Sequence, residues 1–308
     1  MDKPGWALQD MPDQRGRLAI VTGANGGLGY EAALALAGKG AQVVLACRSI
    51  AKAEAARQRI RGEHAKARVQ LAELDLSDQD SVRAFARQAR RDYPRIDLLI
   101  NNAGVMAIPR QLTRDGFEMQ LATNHLGHFA LTGLLLPSLN ASPDARVVAV
   151  SSIAARHAAI HFDNLMGERG YQAWKAYNQS KLANLMFGLE LQRRLARSGS
   201  TTTAVIAHPG TASTNLSASP GARIVKQLLM PLASRLFHAP ERGALAILYA
   251  ATSPEAQPGG YYGPDGFQET KGEVAPAYVP KAARDKPAAA RLWKVSESLT
   301  GVDYLSSV

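Results

Sequence analysis

The sequence holds a single cysteine, Cys47, in 308 residues. That excludes an internal disulfide framework and a zinc site built on cysteines, and it fits a chain kept in the reducing cytoplasm. No run of about 18 apolar residues occurs, and the opening MDKPGWALQDMPDQRGR is polar, broken by Pro and Gly, without the apolar centre of a signal peptide. A soluble, cytoplasmic protein is expected. No internal repeat or low-complexity linker divides the chain, and 46% hydrophobic residues can fill a large core, so one domain spanning 1–308 is expected. His157 and His161 lie four apart with no carboxylate or third histidine at a matching spacing, so no metal site is expected.

The formal net charge is +10. The basic residues are spread through helical stretches such as AKAEAARQRIRGEHAKAR and ELQRRLARSG, where solvated faces and helix C-termini ordinarily carry them. No nucleic-acid partner is expected from that distribution, whereas a polyanionic cofactor suits it.

What is present is a repeated alternation. Short apolar runs, LAIVTGA, AQVVLACR, RVQLAELDL, IDLLINNAG, ARVVAVSS and TTTAVIAHPG, are each followed by a loop and mostly by a segment of helical periodicity. The pattern predicts an α/β fold, a doubly wound parallel sheet with helices on both faces and ligands at the carboxyl ends of its strands. Residues 213–240 break the pattern with two apolar stretches divided by Pro231, read as a helical substrate flap or, equally, as core packing or a subunit contact. The helix PERGALAILYAAT follows, then turns around a last strand in PGGYYGPDGF and a final helix in AARLWKVSESLTGV.

Thr22 to Gly29, TGANGGLG, leaves the first strand and opens a helix, so its glycines can bring backbone N–H groups to a pyrophosphate at the positive helix end. Far downstream, YNQSKLAN sets Tyr177 and Lys181 on one helix face. A cation close to a phenol favours its ionised form, so the pair can serve an acid/base step.

The order TGANGGLG, NNAG, NHLGHF, VVAVSS, YNQSK and HPGTAST resembles the short-chain dehydrogenase/reductase family over about Gly16 to Gly263. The resemblance implies a Rossmann-type fold and a catalytic set of Asn124, Ser152, Tyr177 and Lys181. In that set Tyr177 exchanges the proton, Lys181 lowers its pKa and binds the nicotinamide ribose, Ser152 holds the substrate oxygen, and Asn124 anchors a water relay. The choice of Ser152 over Ser151 rests on the resemblance alone. Cofactor contacts are implied for Thr22, Gly23, Asn25, Gly26, Gly27, Leu28, Gly29, Asp75, Leu76, Asn102, Ala103, Gly104, Tyr177, Lys181, Pro209, Gly210 and Thr214. Asp75 could equally be a helix N-cap.

The second strand ends in Cys47 and Arg48, where a NAD site would carry an acidic residue on the ribose hydroxyls. A guanidinium there grips a 2′-phosphate, so NADP(H) is favoured over NAD(H). Ser152 and Tyr177 stand 25 residues apart, more than in compact members of the family. The spacing is similar to that of the branch holding retinol dehydrogenases, WW-domain oxidoreductases and protochlorophyllide reductases, which act mainly on bulky lipophilic carbonyls. Ala183 stands where the pigment reductases have a cysteine, which argues against photochemistry.

Met106, Ile153, His161, Tyr171 and Leu216 are the candidate substrate contacts. The expected activity is NADP(H)-dependent interconversion of a lipophilic aldehyde or ketone and its alcohol. The alternative is a silent NADP(H) sensor or scaffold on the same fold, which would not need the complete Ser, Tyr, Lys and Asn set. Homodimer, homotetramer and monomer all stay open.

Overall fold

The computed structural model describes residues 5–211 and 239–304. Eight strands form one sheet in the order β3-β2-β1-β4-β5-β6-β7-β8. They are β1 (Leu18–Thr22), β2 (Gln42–Cys47), β3 (Arg68–Glu73), β4 (Leu98–Asn101), β5 (Arg146–Val150), β6 (Thr203–Ala207), β7 (Tyr261–Pro264) and β8 (Val274–Pro276). All neighbours pair in parallel except β7 and β8, which pair antiparallel. The expected doubly wound sheet is therefore present. The eighth strand is an addition that its short, proline-ended sequence VAP did not announce, and Pro276 sits at the sheet edge, where a missing N–H is harmless.

The strands are apolar throughout because both faces are covered. Leu18 and Ile20 enter one core with Val82, Phe85, Phe129 and Leu182, while Ala19 and Val21 enter the other with Leu36, Ile60 and Ile247. This two-residue alternation assigns the helices to layers. One face carries α1 (Gly27–Gly38), α2 (Ile50–Glu63) and α6 (Pro240–Thr252). The other carries α3 (Gln79–Asp92), α4 (Gly127–Asn140), α5 (Ala173–Arg197) and α7 (Lys286–Thr300). The order reverses between β1 and β4, so their carboxyl ends, Thr22 and Asn101, flank the crevice where such sheets take ligands.

The helix that carries Phe129 into its core is irregular. A short turn Met119–Leu121 passes through a π-helical turn, Ala122–Leu126, into α4. Such a turn widens one rung of the helix and is concentrated at functional sites. Asn124 lies within it.

The chain end is held by an aromatic cluster. Phe129 of α4 stands 5.0 Å from Trp293 of α7, 4.7 Å from Tyr304 and 5.6 Å from Phe187 of α5, ring centroid to centroid. The Tyr304 hydroxyl donates to the Phe129 carbonyl. Among the described residues no helix is long and apolar enough to cross a membrane. Truncation of fully buried Phe129 to Ala should cost about 3–5 kcal/mol, read as a lowered midpoint of urea unfolding; a loss below about 1 kcal/mol would show that this cluster does not anchor α7.

Candidate active site

The glycine loop is packed from beneath rather than simply flexible. A Cβ on Gly29 would lie 2.5 Å from Asn102 Nδ2 and 2.6 Å from the Gly23 carbonyl, so only hydrogen fits where the first turn of α1 meets the loop after β4. The N-cap of α1 is Gly26, which has no capping side chain, and a Cβ there would meet nothing within 4 Å. Unspent N–H groups at a positive helix end, facing open space, suit an anion. Burial pushes the Cys47 thiol up to about 11, with the backbone of Ala24 and Asn25 drawing it the other way. Cys47 is thus an inert, buried thiol.

Thr22 joins this loop to NNAG. Its Oγ1 accepts from Asn102 N at 2.9 Å and Ala103 N at 3.0 Å, while Asn102 Nδ2 donates to the Thr22 carbonyl at 2.9 Å. His128 completes the joint, with Nε2 2.9 Å from Thr22 Oγ1 and Nδ1 2.9 Å from the Asn124 carbonyl. Burial pulls His128 down to about 3, so the ring is neutral with its proton on Nδ1, and Thr22 donates to Nε2. The NHLGH spacing puts His128 four residues after Asn124, the one sequence signal that this histidine belongs to the site.

Asn124 is a clamp. Its Oδ1 accepts from Val105 N at 2.8 Å, and its Nδ2 donates to the Val105 carbonyl and to Ser180 Oγ, both at 2.9 Å. A Cβ on Gly104 would come within 3.0 Å of Asn124 Oδ1 and 3.5 Å of Lys181 Nζ, so glycine leaves a hollow beside the ammonium.

Tyr177 and Lys181 lie on one face of α5, both buried, with Nζ 6.0 Å from the phenol ring centroid. Burial pushes the Tyr177 phenol up, and a hydrogen bond with Ser152 draws it back down. Burial also pulls the Lys181 ammonium down to about 8, and among the described residues its one hydrogen bond goes to the Val150 carbonyl at 3.2 Å. The two serines have separate places. Ser151 is buried and donates to the Lys181 carbonyl at 2.8 Å, whereas Ser152 caps the 3₁₀ turn Ile153–His157, accepting from Ala154 N at 3.2 Å, and meets Tyr177.

Arg48 is exposed just beyond β2 and forms no ion pair with a described residue. Asp75 is past the end of β3, where its carboxylate accepts from Ser77 N and Ser77 Oγ; the N-cap of α3 is Asp78, which corrects the capping alternative for Asp75. Leu76 is buried against Gly127. Pro209 and Gly210 follow β6, and Thr214, Leu216 and the flap segment through 238 lie outside the described residues.

Among the substrate candidates, Met106 and Ile153 are half-buried and His161 is exposed. Tyr171 belongs to the wall of the site. Its hydroxyl accepts from Gln120 Nε2 at 2.8 Å and lies 2.9 Å from the Ile108 carbonyl and 3.0 Å from Glu118 Oε1, so its one proton is spent within the protein. Burial and the Glu118 carboxylate push it up to about 12. Buried Gln120 organises this wall, since it also accepts from Ala107 N, a residue at φ 49°, and donates to the Ala173 carbonyl. Nothing in local spacing marks Gln120. Trp174 is the other residue that sequence reasoning left without a role: 60% exposed, it stands edge-on to Tyr177 at 6.0 Å, one turn earlier on α5.

Among the described residues no three His, Cys, Asp or Glu side chains gather as a metal site. The residues present do fit a nicotinamide dinucleotide. The uncapped helix end suits its pyrophosphate, and the buried ammonium, with N–H groups unspent, suits ribose hydroxyls beside the Gly104 hollow.

The sequence model of the short chain dehydrogenase family matches residues 17–223. The chain is 42% identical to retinol dehydrogenase 11 of Mus musculus over 291 residues, covering 93% of this chain and 87% of that protein. It is 43% identical to retinol dehydrogenase 13 of Homo sapiens over 293 residues, covering 94% and 86%. A crystal structure of an uncharacterized protein from Mycobacterium paratuberculosis superposes with a TM-score of 0.83 at 42% identity, covering 98% of this chain and 99% of that one. With a parallel sheet, a glycine loop at its switch point and a tyrosine-lysine helix beside it, the chain belongs to the short-chain dehydrogenase/reductase family, on the retinol dehydrogenase branch, and is an oxidoreductase of alcohol and carbonyl groups.

Proposed function

We propose that this protein is a cytoplasmic, single-domain enzyme that uses NADP(H) to interconvert a lipophilic aldehyde or ketone and its alcohol. The observation that carries the reading is a buried phenol, Tyr177, and a buried ammonium, Lys181, on one face of α5, with Nζ 6.0 Å from the ring centroid and the Gly104 hollow beside it. The cofactor, when bound, supplies or accepts a hydride at the substrate carbon. Ser152 and Tyr177 hold the substrate oxygen from one side with hydroxyl donors. Because burial keeps the phenol protonated, Tyr177 is set to donate its proton as charge grows on that oxygen. Lys181 holds ribose hydroxyls and adds positive potential behind the phenol. Asn124 steadies the Val105 backbone beside the ammonium and stays a candidate for relaying its proton.

Arg48, exposed and without an ion-pair partner among the described residues, supports the 2′-phosphate. A lipophilic substrate is supported by exposed Trp174, edge-on to Tyr177, and by relatives that are named retinol dehydrogenases.

NADPH oxidation should be found in a panel of aliphatic, aromatic and retinoid-like aldehydes, ketones and quinones, and Tyr177→Phe should abolish it. Tight NADPH binding with no turnover above that variant would favour the sensor reading instead. Arg48→Asp should weaken NADPH use by about tenfold or more, worth 1.4 kcal/mol, and equal kcat/KM for NADPH and NADH in the parent protein would sink the cofactor preference.

The buried lysine also makes a stability prediction. Its folded pKa of about 8 lies below its ordinary 10.5, so between these values the unfolded chain binds more protons and this site's contribution to stability rises with pH. Below about 8 the cost of burying the charge is fully present. From pH 8 to about 10 the melting temperature of the parent should therefore gain on that of Lys181→Met; a constant difference across that window would rule out a depressed lysine.

A further inference from the structure

Two consecutive non-glycine residues, Gln268 at φ 54° and Glu269 at φ 55°, adopt the left-handed conformation in the connection between β7 and β8. Each such residue is strained and persists where surrounding contacts over-determine it. Here the contacts converge on one carboxylate. Glu269 Oε1 accepts from Arg156 Nη2 at 2.8 Å and from Tyr278 N at 2.7 Å, and Oε2 accepts from His208 Nε2 at 2.9 Å. Arg156 Nη1 also donates to Gln268 Oε1 at 3.2 Å.

His208 is fully buried and immediately precedes Pro209 and Gly210. Burial pulls its imidazole down further than Glu269 raises it, so it is neutral and carries one proton. A carboxylate can only accept, so that proton sits on Nε2. His208 Nδ1 is then left as an acceptor, and Gly210 N donates to it at 3.2 Å. Had the proton been on Nδ1, two N–H groups would face each other. Gly210 itself is at φ 66°, and a Cβ there would lie 2.4 Å from the Thr270 carbonyl, so the loop after β6 is pressed onto the same hairpin that carries Glu269. Arg156 belongs to the 3₁₀ turn capped by Ser152. One carboxylate thus ties the turn on the substrate-oxygen side to the loop after β6.

We propose that Glu269 is a positioning residue for the reaction: through His208 it fixes the Gly210 turn against the cofactor, and through Arg156 it keeps that turn in register with Ser152. The inference rests on the reading that the Gly210 loop borders the nicotinamide dinucleotide. No motif in the chain suggested it, because Glu269 lies 61 residues beyond His208 in a turn with no periodicity.

The test is direct binding of NADPH, followed by the change in its fluorescence, alongside steady-state turnover and thermal melting of each variant. Glu269→Ala should raise the NADPH dissociation constant by about tenfold, the loss of a charge-assisted hydrogen bond, with KM for NADPH rising more than kcat falls. His208→Asn should do the same, and the double variant should be no worse than the worse single one, because both changes break one linkage. A folded Glu269→Ala protein that binds within about twofold of the parent, or strictly additive losses in the double variant, overturns the proposal. If Glu269→Ala does not fold, Glu269→Gln carries the test, since it keeps an acceptor oxygen for His208 but no charge for Arg156. It should weaken NADPH binding by about threefold, and unchanged binding overturns the proposal. Absence of NADPH binding by the parent chain would remove this inference together with the reading of the site, whereas NADPH binding and Tyr177-dependent turnover that survive Glu269→Ala unchanged would remove this inference alone.

Discussion

The hydroxyl of Thr22 is the joint on which the rest of the site depends. It is buried, accepts two backbone N–H groups from Asn102 and Ala103, and donates to His128. A hydroxyl has one proton to give and two lone pairs to offer, so all of its capacity is spent. The bonds tie the end of β1, where Thr22 sits, to the turn after β4 and, through His128 in the first turn of α4, to the π-helical turn that holds Asn124. In a dry interior an unpaired member of such a network costs the full desolvation of that group, so these three segments keep one mutual arrangement. Asn124 extends the joint to Val105 and Ser180, and so to the helix of Tyr177 and Lys181.

Against that rigid frame the functional groups are held at a cost. Among the described residues a buried ammonium has a single carbonyl for a partner, and a phenol is buried on the same helix face. Burial disfavours the charged form of each, pulling the lysine down and pushing the tyrosine up. Both displacements leave groups that gain from a ligand rich in hydroxyls and from a substrate oxygen acquiring charge. The same economy runs through the rim, where Gln268, Glu269 and Ala107 hold left-handed conformations beside the loops that border the crevice. Strain of this kind is stored where the surrounding structure can sustain it, here by Gln120 on one wall and Arg156 with His208 on the other.

The parallel strands were legible because a parallel sheet buries both faces, which leaves continuous apolar runs, and because most of these runs end in a motif. TGANGGLG, NNAG and YNQSK are local patterns, so their chemistry could be read before their neighbours were known. Ser152 was legible only by resemblance, since two adjacent serines are equivalent in a sequence. The structure separates them by direction: Ser151 points back to the backbone of α5, and Ser152 meets the phenol. The partners of Tyr171 were illegible for the complementary reason. An aromatic residue in a polar insertion looks available, and the partners that occupy its hydroxyl, Gln120, Glu118 and Ile108, lie 51 to 63 residues earlier.

By itself, then, the sequence determined the alternation of elements, the glycine turn, the helix face shared by Tyr177 and Lys181, and the lack of a carboxylate after β2. All of these are set within a few residues by sterics, periodicity and charge. Tertiary structure alone decided the π-helical turn, the neutral tautomers of His128 and His208, the roles of Gln120 and Glu269, and the sense in which burial shifts Tyr177 and Lys181. Those features are fixed by which polar atom faces which at a distance of about 3 Å in a medium without water. Such pairings join residues far apart in the chain, and they exist only once the sheet has brought their strands to one edge.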